Sequence, residues 1–311
     1  AMAQTTTLRI QDYPGLGNMI TRVAAANGYC EKNGIKCELK TIPAGPLGIQ
    51  TLMAGDIDVA FGPAEVVIQA ANKGADLKII GNAARDNIFF LMAGAHTETP
   101  NAAKGYPAVM ADLKGKKIGV TARGSGAEFQ LLDLLKGAGL SGSDVTIVPV
   151  GAPNTALPAI ANKQIDAVML FAPMDGFCAA MKICRVIVDP RKGEGPKEIT
   201  QLNGASGPMT VRGDFAQKNS ATLDAFAKAM RESEAFIQNP ANFAAVLKVI
   251  NDTFKIDGPA GAAAVEASLR NSIGGSKFSL DPKALQHAAD YLFNTKQIDK
   301  SFDTSKILQL R

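Results

Sequence analysis

An α/β pattern that runs once, stops and starts again is the feature that most constrains this chain of 311 residues. Pro43 to Ala60 reads PAGPLGIQTLMAGDIDVA, and Gly151 to Val168, 108 residues later, reads GAPNTALPAIANKQIDAV. In each copy a Pro/Gly turn opens a short amphipathic helix, and Ile-Asp then leads into an apolar strand. Ile57 aligns with Ile165, and Asp58 with Asp166. A solenoid would repeat a short unit many times. Two widely spaced copies predict two similar α/β units instead.

The surrounding periodicity fits that plan. Strands are expected at 7–11, 35–42, 57–61, 77–81 and 88–93, and again at 117–121, 145–150, 165–171 and 185–188. Helical spacing fills 18–33, 47–54, 64–73, 127–137, 156–162 and 174–181. Residues 95–112 and 189–208 carry Pro and Gly without a sustained period and read as connectors. From Ser220 onward helices dominate, at about 221–238, 241–251, 259–272 and 282–294.

Composition narrows the function. Hydrophobic residues make up 46% and charged ones 20%, an ordinary soluble globular balance. No apolar run approaches the ~18 residues that a membrane span requires. The net charge of +4 is spread along the chain, so the concentrated basic face of a nucleic-acid binder is missing. The mild basic excess suits an anionic small molecule. Tryptophan is absent and only 6% of residues are aromatic, which excludes indole stacking on a sugar and poorly supplies a cation cage.

Four cysteines fall in two close pairs, Cys30 with Cys37 and Cys178 with Cys184, each flanking an expected helix-to-strand turn. Two disulfides in an oxidising compartment, or four buried thiols, both satisfy that spacing. Intervals of seven and six residues do not match the usual zinc spacing. No secretory signal peptide opens the chain. Ala1-Met2-Ala3-Gln4 reads either as the small-x-small end of a cleavage site or as residues around a start methionine.

The segment Ala111 to Leu140, ADLKGKKIGVTARGSGAEFQLLDLLKGAGL, resembles a hallmark stretch of ABC-transporter solute-binding proteins of the nitrate/sulfonate/taurine type. This is the superfamily that also holds a thiamine-pyrimidine synthase. Leu52 to Ala60 (L-x-x-G-x-I-D-x-A) and its echo are similar to the same family. The resemblance runs from about residue 7 to 210. It implies a periplasmic-binding-protein fold of type II: two α/β lobes joined by two crossing strands, with a helical C-terminal layer. Lobe one would hold residues 1–93 and 208–311, and lobe two 94–207, with 88–93 and 207–212 as the crossings. It also implies an exported, periplasmic monomer. Such a protein closes on one small ligand, uses no cofactor and docks to an inner-membrane ABC permease.

Ligands of open α/β sheets bind beyond the carboxyl ends of the strands. That rule selects Tyr13-Pro14 with Gly15-x-Gly17, Gly45-Pro46, Phe61-Gly62, Arg123-Gly124-Ser125-Gly126, Thr155 and Phe171. Gly15-x-Gly17 lacks the third glycine of a dinucleotide turn, since Ile20 stands there. Ser125 with Glu128 forms an S-x-x-E capping box, so a helix starts at this point. Its free amides and dipole, with Arg123 beside them, suit a sulfonate or carboxylate. The plainer alternative is a capped helix with an exposed arginine. Phe61 and Phe171 would supply apolar walls, and Arg85 would reach the cleft or pair on the surface.

Enzyme chemistry finds little support. The two histidines, His96 and His287, stand far apart, and no G-x-S-x-G, H-E-x-x-H or Walker pattern occurs. The cluster of neighbouring cysteines used by the thiamine-pyrimidine branch is missing as well, and a ligand sensor on the same fold, which differs mainly in its partner, stays the alternative to a carrier.

Overall fold

The structure, a computed structural model, describes residues 6–254 and 259–311; Ala1-Met2-Ala3-Gln4 lies outside them. The described strands are β1 (Thr6–Asp12), β2 (Ile35–Thr41), β3 (Ala60–Phe61), β4 (Leu77–Ala84), β5 (Phe89–Gly94), β6 (Lys117–Val120), β7 (Thr146–Pro149), β8 (Ala167–Phe171), β9 (Cys184–Val188) and β10 (Gly207–Arg212).

They form two sheets on one plan. In the first, β1 pairs with β2 in parallel, Ile10 bridges to Val59 just ahead of β3, and β10 runs antiparallel between β3 and β4. The order is therefore β2-β1-β3-β10-β4. The second order is β7-β6-β8-β5-β9, with β5 antiparallel to both β8 and β9. The aligned acids of the sequence repeat do the same work in each sheet. Asp58 accepts a hydrogen bond from the Arg9 amide of β1 at 2.8 Å, and Asp166 accepts one from the Lys117 amide of β6 at 2.8 Å.

The chain crosses between sheets at other points than the sequence suggests. β5 and β10, the expected crossings, are inner strands, and every residue of β5 is buried. A strand whose flanks are both apolar gains more by pairing inside a sheet than by linking two sheets through solvent. The crossings are the turn 85–88 and the longer segment 189–206. They are tied to each other by Gly204 N–H to Arg85 O at 2.7 Å and Asn87 N–H to Asn203 Oδ1 at 2.7 Å.

Two further differences have local causes. The helix expected over 18–33 breaks at Gly28, which takes φ +71°, into Met19–Ala26 and Tyr29–Lys32. The C-terminal helices also reach both sheets. Ser220–Gln238 and Phe243–Thr253 pack on Met19–Ala26, and Pro282–Asn294 packs on Ala64–Asn72. Pro259–Ser272 instead lies along Met174–Met181, so close that a Cβ on Gly176 would sit 1.9 Å from Ala264 O.

Cys30 is bonded to Cys37 and Cys178 to Cys184, with Cα separations of 5.9 and 4.4 Å. One bond ties the Tyr29–Lys32 turn to β2; the other ties Met174–Met181 to β9.

Candidate functional site

The carboxyl ends of the parallel strands of both sheets meet, and the loops after β1, β3, β6 and β8 interlock there. Leu16 N–H donates to Ala172 O at 2.9 Å, joining the loop after β1 to the loop after β8. The Tyr13 ring stands edge-on between Phe61, at 5.6 Å, and Phe171, at 5.2 Å. Phe171 in turn meets Phe89 at 6.2 Å. Aromatic edges from both sheets thus form one buried cluster. Two glycines allow the approach. A Cβ on Gly15 would lie 2.3 Å from Phe171 Cδ2, and one on Gly126 would lie 2.5 Å from Pro63 Cβ.

Three buried polar residues hold the loop after β1. Arg22 Nε pairs with Asp12 at 2.9 Å, while its other nitrogens donate to Gly15 O at 2.6 Å and Tyr13 O at 2.5 Å. Asn18 Nδ2 donates to Asp12 Oδ1 at 3.0 Å. Gln11 carries the scaffold to the neighbouring loops, donating to Ile42 O at 3.2 Å and accepting from Phe61 N–H at 3.1 Å. A buried pair of this kind fixes geometry because each charge has a defined partner. Sequence reasoning missed Asp12, Arg22 and Gln11: the sequence around Arg22 shows only helical apolar spacing, which says nothing about a side chain turning back onto its own preceding loop.

Asn18 Oδ1 in this scaffold has no partner among the described residues, and two buried hydroxyls are in the same position. Tyr13 is 2% exposed and Thr121, just past β6, is 4% exposed, yet neither side-chain oxygen has a hydrogen-bond partner of ordinary geometry among the described residues. Burial drives the Tyr13 phenol well above its usual pKa, opposed by the Gly45 amide that points at its oxygen from beyond ordinary hydrogen-bond geometry, so the phenol stays neutral with its O–H free to donate. A buried hydroxyl without a partner costs roughly 1–3 kcal/mol. The helices Gly45–Ala54, Ala64–Asn72, Gly126–Gly137 and Pro153–Ala161 also begin at this junction, directing their N-terminal dipoles toward it.

The remaining candidates divide. Gly45 and Gly62 are buried face to face, a Cβ on Gly62 reaching 3.5 Å from the Gly45 Cα, and Pro46 is half-buried beside them. Pro14 lines a cavity of about 300 Å³ between the sheets, together with Asp12, Thr41, Pro153 and Asn154. Ser125 Oγ accepts from Glu128 N–H at 3.3 Å, and Glu128 reaches back to the Gly124 amide at 2.6 Å. Arg123, 64% exposed along its side chain, pairs with that same Glu128 at 2.9 Å, so the charge at this helix start is already balanced. Thr155 is exposed and caps its own helix, its hydroxyl lying 2.5 Å from Val150 O. Arg85 sits away from the junction, on the first crossing, and pairs with Asp86 at 3.3 Å. A second cavity, of about 180 Å³, adjoins the crossings between Phe171, Asn87 and Arg191.

Residues 19–242 match the family described as NMT1/THI5 like. The chain belongs to that family. Among curated relatives, a provisionally assigned binding protein of Brucella abortus is 34% identical over 168 residues, 54% of this chain and 47% of that protein. The match thus spans about half the length of that relative. A provisionally assigned aliphatic sulfonates-binding protein of Bacillus subtilis is 29% identical over 280 residues, 89% of this chain and 77% of its own. Among solved structures, the alkanesulfonate-binding protein SsuA of Xanthomonas axonopodis pv. citri, bound to MOPS, superposes with a TM-score of 0.80 at 21% identity, covering 99% of this chain and 100% of that one. This member of the NMT1/THI5-like family therefore has the α/β periplasmic-binding-protein fold, and the relatives named here are assigned as binding proteins, two of them provisionally. Among the described residues no helix is long and apolar enough to cross a membrane.

Proposed function

We propose that this chain is the solute-binding component of an ABC importer, exported to the periplasm, where it carries one small organic anion to an inner-membrane permease. The observation that carries the proposal is the buried Tyr13 hydroxyl, whose O–H finds no acceptor among the described residues although it sits where loops from both sheets and several helix N-termini converge. A sulfonate or carboxylate oxygen would accept from Tyr13 and Thr121, and its charge would be favoured by the helix dipoles. Phe61 and Phe171 would contact an apolar body. Residues 6–84 with 207–311 and residues 89–188 would act as two lobes, with the crossings as the hinge and lobe closure as the signal the permease reads. Both disulfides fit the oxidising compartment this role requires.

Calorimetry with a panel of short alkanesulfonates, MOPS, aliphatic and aromatic carboxylates, amines and neutral sugars tests the reading. One class of organic anion should bind with one-to-one stoichiometry. Tight binding of only a cation or a sugar would reject the ligand class, and binding of nothing small would reject the carrier role.

A further inference from the structure

Seven acidic side chains are buried among the described residues: Asp12, Asp58, Glu65, Glu128, Asp133, Asp175 and Asp189. Five stand in ion pairs: Asp12 with Arg22, Asp58 with Arg9, Glu128 with Arg123, and both Asp175 and Asp189 with Arg191. Glu65 and Asp133 have no cationic partner among the described residues, and these two face each other across the junction between the sheets. Glu65 lies on Ala64–Asn72 beside the first sheet, and Asp133 on Gly126–Gly137 beside the second.

Each carboxyl receives one neutral donor from the opposite side. Gln130 Nε2, on the helix of Asp133, donates to Glu65 Oε1 at 3.1 Å, its orientation locked by Asn87 Nδ2 donating to Gln130 Oε1 at 2.7 Å. Tyr291 Oη, on the C-terminal helix that packs against Ala64–Asn72, donates to Asp133 Oδ1. The other charged and titratable groups nearby do not compensate. Glu65 and the half-buried Glu198 repel an Asp133 charge, and only Lys136, on the same helix, opposes that effect. Tyr106 touches the far side of this helix through Leu134 O. His287 lies one turn before Tyr291, with its Nε2 buried and without a partner among the described residues.

We propose that closure of the two sheets against each other is coupled to proton uptake by Asp133 and Glu65, so that the protein holds its ligand more tightly as the pH falls. In the closed arrangement both carboxyls lose water and gain no cation; opening returns them to solvent, where they ionise near the ordinary carboxylate range. Burial, the first cause, pushes Asp133 up to about 8 and also raises Glu65. The sign follows from linkage. For Asp133, the open and closed forms are both protonated below about pH 4 and both ionised above about pH 8; between the two, closing takes up a proton and loses up to about tenfold per pH unit as pH rises, and the raised Glu65 adds a loss of the same sign. Where closure limits affinity, ligand binding inherits that slope.

The proposal rests on the reading of two lobes that open and close, but its test needs no ligand. Small-angle scattering of the free protein at pH 5 and pH 9 should show a larger radius of gyration at pH 9. Asp133→Asn, which keeps an oxygen for Tyr291, and Glu65→Gln should each reduce the change, and the double variant should remain compact at both. Thermal melts of each variant confirm folding, and the two substitutions guard against one of them failing to fold. A wild-type radius that does not change with pH overturns the proposal. So does a full transition that persists in Asp133→Asn, which would place the titrating group elsewhere. A missing anion ligand would reject the functional reading above and leave this result standing.

Discussion

Tyr13 and Arg123 make a useful contrast, because the sequence ranks them in the opposite order from the structure. Arg123 stands next to a capping box that can be read directly from Ser125 and Glu128, and the cap forms as expected. What the pattern cannot show is that Glu128 also pairs with Arg123, leaving the guanidinium half-committed and exposed. Tyr13 looks unremarkable in the sequence, since burial and a missing partner depend on the positions of Phe61 and Phe171, far away in the chain. Their substitutions should therefore differ. Tyr13→Phe removes a hydroxyl that costs the free protein stability, so its melting temperature should hold or rise. Its affinity for the anion should fall by about 1.5–3 kcal/mol, the worth of a hydrogen bond to a charged group. Arg123→Ala should cost about 1 kcal/mol of affinity or less, as for an exposed pair. Calorimetry on both variants with the same ligand checks the order, and a larger loss for Arg123→Ala would show that the arginine leaves Glu128 to hold the ligand.

Among the elements, strand and helix types were largely legible because apolar periodicity is local. The aligned Ile-Asp steps before β3 and β8 proved to be equivalent positions in two sheets. Pairing was not legible. Phe89–Gly94 reads as a strand, but nothing in it says that β8 and β9 are its neighbours. The same limit hides Gly126, which sequence reading treats as a helix start and the structure places against Pro63 of the other sheet. Gly126→Ala puts a methyl 2.5 Å from Pro63 Cβ, where overpacking costs about 1–3 kcal/mol. The junction can relieve it by opening, so ligand affinity should fall by that amount while the far-ultraviolet spectrum stays unchanged. A cooperative loss of secondary structure would mean that the two sheets cannot separate. The cysteine pairs close loops of similar size, with sequence separations of 7 and 6, and each should contribute roughly 2–3 kcal/mol in the chain-entropy account. Non-reducing peptide mapping should recover both bridges, and reduction should lower the urea midpoint. Four free thiols after purification from the periplasm would remove the oxidising-compartment argument.

At the scale of the molecule, the doubled α/β plan followed from one sequence repeat, whereas the course of the helical tail did not. Pro259–Ser272 reads as an ordinary amphipathic helix. Its seat on Met174–Met181 depends on Gly176 leaving room for the Ala264 carbonyl, a contact between residues 88 apart in the chain. The tail thereby touches elements beside both sheets, and any closing motion must carry it along or slide it. Ligand binding should consequently stabilise the whole chain in one cooperative step. A ligand at about 100 times its Kd adds about 2.7 kcal/mol. With an unfolding entropy of about 2.1 cal/mol/K per residue, a chain of this length should melt about 4 °C higher. A carrier should give that shift while mass spectrometry returns the ligand unaltered after prolonged incubation. If the bound compound is converted instead, the junction around Tyr13 is a reaction site, and the unpartnered hydroxyls would have to be reassigned from holding an anion to stabilising its transition state.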